Sequence, residues 1–222
     1  MPLEQLDFEV GGETYEGRFV TPPAGDAEAC VVVVPGAGHG PFGDIFDITM
    51  YELANAGVAS FRYESWTSSD ELDAKTLAAL QAELQAAVDQ TADRGYEHVS
   101  LLVKSFGGRI AFTDLPERVE RVLGWAPAVV FADDSGLDEQ RDVPLDDLDD
   151  GLDIAPTDVA GVDVPVTLLY GDEDHFYPEH AEALADALSD AELRVLPGEN
   201  HSFNARRRVV VAETVAALAG EH

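Results

Sequence analysis

Short, unbroken apolar runs alternate along this chain with longer segments in which apolar residues return every three or four positions. The runs read as strands buried on both faces, the longer segments as helices with one buried stripe. Residues 6–10 and 13–20 come first, with apolar and polar positions alternating about Gly11-Gly12, the pattern of a hairpin. The rhythm then changes. Residues 29–34 are continuously apolar and stop at Pro35-Gly36, and the spacing predicts a helix over 45–56, ended by Gly57. A strand over 58–63 and a long helix over 73–94, stopped by Gly95, follow; then come a strand over 98–103 and a short helix over 107–115. Strands at 121–125, 164–170 and 193–196 alternate with helices at 178–188 and 209–219. Such alternation implies right-handed crossovers and a mostly parallel sheet covered on both faces. At 222 residues, with no repeat or linker dividing it, the chain is expected to form a single domain over 1–222.

In sheets of this kind the chemistry collects beyond the carboxyl ends of the strands. Ser105 stands between the apolar run ending at Val103 and the glycines Gly107 and Gly108 that open a helix. A serine on so tight a turn is thrust clear of the backbone. Other strand ends carry Pro35-Gly36-Ala37-Gly38-His39-Gly40, then Gly171-Asp172-Glu173-Asp174, then Gly198-Glu199-Asn200-His201. The order is serine, acid, histidine. A serine hydroxyl is a weak nucleophile until an imidazole takes its proton, and that imidazole needs a carboxylate to fix its tautomer.

These residues carry a resemblance to the α/β-hydrolase superfamily, and the chain's compactness is similar to that of the dienelactone-hydrolase-like small carboxylesterases. The likeness runs from about Ala29 onward. It implies an α/β-hydrolase fold with a mostly parallel central sheet of about seven to eight strands and helices on both faces. It also implies a serine hydrolase for a small ester or related acyl compound, working without a cofactor or a metal. Residue by residue, Ser105 matches the nucleophile, Asp174 the acid of a Gly-x-x-Asp turn, with Asp172 as the alternative, and His201 the general base. The main-chain N–H groups of Phe106 and Ala37 match the oxyanion hole. The elbow Lys-Ser-Phe-Gly-Gly-Arg also resembles the Gly-Lys-Ser-Met-Gly-Gly-Arg form of a further branch of this fold, in which a noncatalytic binding or scaffold role is the alternative. Val103 departs from the pattern, since it stands where the first glycine of Gly-x-Ser-x-Gly belongs.

Two further residues are assigned to substrate binding. His39 lies in the oxyanion loop, where it contacts substrate or closes the turn. Lys104 directly precedes the serine in a chain with one other lysine, Lys75. It either anchors a substrate carboxylate or pairs with an acid such as Glu64. His175 and His180 are expected at the surface or the pocket rim. The acidic stretch 133–163 follows the sixth strand, where a short lid-like insertion is expected. Its spacing does not match an EF-hand, because Leu148 and Thr157 stand at ligand positions. A dinucleotide fingerprint fails at Pro41, where the third glycine should be.

Composition narrows the partners. No apolar run approaches the roughly 18 residues that span a bilayer, and the first residues lack a secretory pattern, so a cytoplasmic protein is expected. Cys30 is the one cysteine, which excludes an internal disulfide, and its apolar neighbours predict a buried thiol. Thirteen basic residues against 44 acidic ones leave a net charge of −31. Nucleic acid is therefore not the expected partner, and the one basic cluster, Arg206-Arg207-Arg208, is expected to cap a helix C-terminus or pair locally. Disorder does not fit, since the strands are too apolar. An acidic surface suited to high salt does, because salt screens repulsion between carboxylates over a few ångströms. The thermal midpoint is expected to rise from low to molar KCl; a midpoint that stays flat or falls would remove this reading of the surface.

Overall fold

A computed structural model describes residues 3–25, 27–38, 40–132 and 154–220. His39 and most of the expected lid-like insertion fall outside these residues. Eight strands form one sheet in the order β1-β2-β4-β3-β5-β6-β7-β8. The hairpin β1 (Leu3–Val10) and β2 (Glu13–Val20) is antiparallel, with Val10 opposite Glu13. Gly11 and Gly12 both take positive φ at its turn, 62° and 95°, which any other residue would resist.

From β2 the sheet passes antiparallel to β4 (Ala59–Tyr63), and every later pairing is parallel. β3 (Ala29–Val34) is buried along its whole length, as an unbroken apolar run between two neighbours requires. It lies between β4 and β5 (His98–Lys104), followed by β6 (Val119–Trp125), β7 (Val166–Gly171) and β8 (Ala191–Leu196). The chain runs outward from β3 to β4 and then returns to β5 on the other side of β3. The loops after β3 and β5 therefore part to opposite sides of a crevice, where open α/β sheets bind their ligands.

The helices fall into two groups. α1 (Asp44–Asn55) and α7 (Arg207–Leu218) pack together over one face, and α3 (Leu77–Asp93), α4 (Gly107–Thr113), α5 (Pro156–Val159) and α6 (Glu179–Ala187) contact one another in succession over the other. The expected helix over 73–94 is found as α3 but starts later, at Leu77, because a separate short helix, α2 (Ser69–Asp73), ends at Ala74 before it, and the Thr76 hydroxyl accepts the Ala79 N–H at 3.1 Å. That cap gives the backbone a reason to restart.

The break also turns Lys75 inward. Its ammonium bonds Glu83 Oε1 at 2.5 Å and the Tyr15 hydroxyl at 3.0 Å, while Ser65 donates to the second Glu83 oxygen. Glu83 is 3% exposed, so its charge is held by this hydrogen-bonded ring rather than by water. Lys75→Met is expected to lower stability by about 3 kcal/mol, because the carboxylate would stay buried without its cation. Urea denaturation in high salt checks this, and a loss under roughly 1 kcal/mol, the value of an exposed pair, would show the ring to be solvated.

Candidate active site

Ser105 follows β5 at φ +51°, a left-handed conformation that residues with a β-carbon rarely hold. It is fixed there from both sides. Its N–H donates to Trp125 O at 3.0 Å, and its carbonyl accepts from Gly108 N at 3.0 Å and Ala128 N at 2.9 Å. The turn closes against the loop after β3 with no room for side chains. A β-carbon on Gly107 would lie 2.6 Å from Val34 O, and one on Gly36 would lie 3.0 Å from Ser105 Cβ. Val103 costs the elbow nothing, because it is buried inside the sheet and its partner on β6 is Gly124.

Two more loops come over the serine. After β7, Asp174 accepts the Phe176 N–H at 2.9 Å and bonds His201 Nδ1 at 3.0 Å through its other oxygen. After β8, His201 places Nε2 2.9 Å from Ser105 Oγ. Ser105, His201 and Asp174, whose outermost members stand 96 positions apart in sequence, thus form one line of hydrogen bonds. Asp172 takes no part in the line, since its carboxylate accepts the Gly198 N–H at 2.6 Å. Burial pushes the Asp174 carboxyl up, but the His201 hydrogen bond, the His201 and Lys104 charges and the Phe176 N–H outweigh it and leave the pKa below its usual value. Burial lowers the His201 imidazole, and Lys104 and His175 act the same way against the pull of Asp174. An imidazole so placed is neutral near pH 7 and able to accept a hydroxyl proton.

The cleft above this line has a volume of about 720 Å³ and is bordered by Ala37, Phe42, Phe46, Trp125, Phe176 and Phe203, among others. No hydrogen bond within the described residues engages the main-chain N–H of Ala37 or of Phe106. Lys104 is not paired with Glu64: β3 lies between their strands, and Lys104 Nζ instead donates to His201 O at 2.7 Å. Burial lowers the Lys104 pKa to about 7, opposed by Asp174. His175 stands half-exposed at the rim with Nδ1 3.8 Å from Asp174 Oδ1, as expected of a rim residue. His180, by contrast, is buried and meets Phe176 edge-on, because α6 turns it toward the sheet. The arginine cluster starts α7 and does not cap a helix C-terminus; Arg206 bonds Pro197 O nearby, whereas Arg207 pairs with the distant Asp44 of α1 at 2.5 and 3.0 Å. Asp174, His175 and His201 have ligand atoms within 4.8 Å of one another, yet Asp174 is already engaged by His201 and Phe176, which leaves a metal little to bind.

Glu199 escapes sequence reasoning altogether. It is fully buried, and its carboxylate accepts three main-chain N–H groups, from Asn200, Ala205 and Arg206 at 3.0, 3.1 and 2.6 Å. These bonds shape the loop that carries His201. Nothing in a chain with 44 acidic residues marks this one as structural.

The structure is similar to Est1E from Butyrivibrio proteoclasticus with ferulic acid bound (TM-score 0.76, 14% identity, 95% of this chain and 96% of that one). It is also similar to a dienelactone hydrolase from Anabaena variabilis (TM-score 0.75, 18% identity, 97% and 96%). A third similar structure is an alpha-beta serine hydrolase homologue from Coxiella burnetii (TM-score 0.71, 16% identity, 97% and 97%). No curated protein sequence matches the chain. The dienelactone hydrolase family matches residues 55–221, three-quarters of the length and every element from β4 onward, and the chain is a hydrolase that belongs to that family.

Proposed function

We propose that the protein hydrolyses a carboxylic ester or a related small acyl compound through an acyl-enzyme on Ser105. The observation that carries this reading is the line from Ser105 Oγ through His201 to Asp174, with both bonds at 2.9 to 3.0 Å. Ser105 Oγ attacks the acyl carbon while its proton passes to His201 Nε2. Asp174 holds the ring by Nδ1 and stabilises the imidazolium that forms. The carbonyl oxygen gains negative charge next to the main-chain N–H groups of Phe106 and Ala37, which have no other partner among the described residues. His201 then returns the proton to the departing alkoxide. Water attacks the acyl-enzyme by the same route, and the acid leaves.

The cysteine offers no competing nucleophile. Cys30 is fully buried in β3, and burial pushes its thiol far above the usual range, so no thiolate forms. The aromatic border of the cleft fits an apolar or planar acyl group, and the two similar structures described with ferulic acid and as a dienelactone hydrolase support a carboxylic substrate class.

A fluorophosphonate probe in high salt is expected to label the parent protein and not Ser105→Ala, whose ester turnover falls at least about a thousandfold. Equal labelling of both would place the nucleophile elsewhere, and a folded parent that takes no label would favour a binding protein. The parent's kcat/KM is expected to rise with pH as His201 loses its proton. The midpoint should lie on the acid side of an ordinary imidazole, since burial, Lys104 and His175 all disfavour the charged ring. A rate profile whose midpoint lies above that of free imidazole would contradict the assignment of His201 as base.

A further inference from the structure

Lys104 precedes the serine and borders the same cleft, with its ammonium engaged by the histidine loop. Nζ donates to the main-chain carbonyl of His201 at 2.7 Å and lies 5.1 Å from the centre of the Phe203 ring. This bond joins the last residue of β5 to the loop after β8, across 97 positions of sequence. The loop has other ties at its two flanks. Glu199 gathers the N–H groups of Asn200, Ala205 and Arg206, and Phe203 is buried at φ +53° under Trp125. At His201 itself the ring is held by Asp174, and the main chain is held by Lys104.

We propose that Lys104 is a positioning residue for His201, its ammonium clamping the histidine's own carbonyl so that the imidazole stays in line between Ser105 and Asp174. The proposal rests on the reading of these three residues as the catalytic line. It assigns one of the ammonium's three donors to the protein itself, where the sequence left a substrate carboxylate as the partner.

The clamp also acts through its charge. The ionisable groups near Nζ are Asp174, in the loop after β7, and His201, in the loop after β8, with His175 beyond the imidazole. Tyr170 of β7 bonds Pro127 O and stays un-ionised, since burial raises its phenol. Arg207 and Asp44 form a closed pair at the border of the cleft. A positive Lys104 favours the Asp174 carboxylate and disfavours the imidazolium. Removing the charge therefore raises the His201 pKa, and the acid limb of activity moves to higher pH.

The test compares the parent, Lys104→Met and Lys104→Arg, each checked for folding by its thermal midpoint. A neutral phenyl ester and one bearing a carboxylate serve as substrates, and Ser105→Ala with the fluorophosphonate probe controls for the nucleophile. The expected result for Lys104→Met is kcat lower by about tenfold on both esters with KM little changed, and an acid limb displaced to higher pH. Lys104→Arg, which keeps donor and charge, should retain the parent's limb and most of its kcat. If Lys104→Met does not fold, the arginine variant alone decides, and a displaced limb there overturns the proposal. A folded Lys104→Met with the parent's kcat and limb overturns it as well. So does a loss confined to KM for the carboxylate ester, which would make Lys104 a substrate anchor. Absence of Ser105-dependent labelling in the parent removes the catalytic line itself, and the clamp with it.

Discussion

Everything at the cleft depends on how closely four strand-end loops approach one another, and the missing side chains of three glycines permit that approach. Gly107 and Gly36 let the serine turn press against the loop after β3. Gly171 does the same on the far side, where a β-carbon would lie 1.9 Å from Glu199 O and force the acid loop away from the histidine loop. The hydrogen bonds between Ser105, His201 and Asp174 are a consequence of that packing. Each residue comes from a different loop, so a shift of one loop by an ångström would lengthen a bond past the range in which a proton is passed.

The same crowding is visible in the backbone. Among the described residues, the non-glycine positions at positive φ are Asp44, Ser105, Ala126 and Phe203. Asp44, Ser105 and Phe203 line the cleft, and Ala126 follows Trp125, which also lines it. Such conformations cost about 1 to 3 kcal/mol each and persist where surrounding packing over-determines them. Here the surroundings are the buried β3 and β5, the Trp125 ring stacked on Phe46 and met edge-on by Phe203, and the bidentate Arg207 to Asp44 pair that ties α7 to α1. Rigid sheet beneath and strained loops above are one arrangement, in which the strands supply the stiffness that the loops use.

Charge is distributed with the same economy. The chain has two lysines, and neither stands free on the surface: Lys75 neutralises the buried Glu83, and Lys104 bonds the His201 carbonyl. In a molecule with a net charge of −31, both lysines thus have a structural task. Two buried carboxylates likewise have several partners each, Glu83 from side chains and Glu199 from main-chain donors, as desolvated charges require.

The apolar rhythm alone was enough to read the eight strands, most helix ends and the serine, acid and histidine loops in their chain order, because burial between two neighbouring strands leaves an unbroken apolar run and a crossover leaves a helical stripe. The break between α2 and α3 was not legible, since Thr76 and Lys75 act through a cap and an inward ion pair that periodicity does not register. Spacing from Gly171 favoured Asp174 and left Asp172 as the alternative. The Asp172 carboxylate accepts the Gly198 N–H and that of Asp174 bonds His201 Nδ1, a difference set by loops from two strands. The partner of Lys104 was equally hidden, because strand order places β3 between Lys104 and Glu64 while bringing the His201 carbonyl within 2.7 Å. Local sequence thus determined which elements form and which residue types stand at their ends, for these follow from burial and turn chemistry within a few residues. Only the tertiary structure decided which of those residues meet, because pairing across the cleft is governed by contacts between loops far apart along the chain.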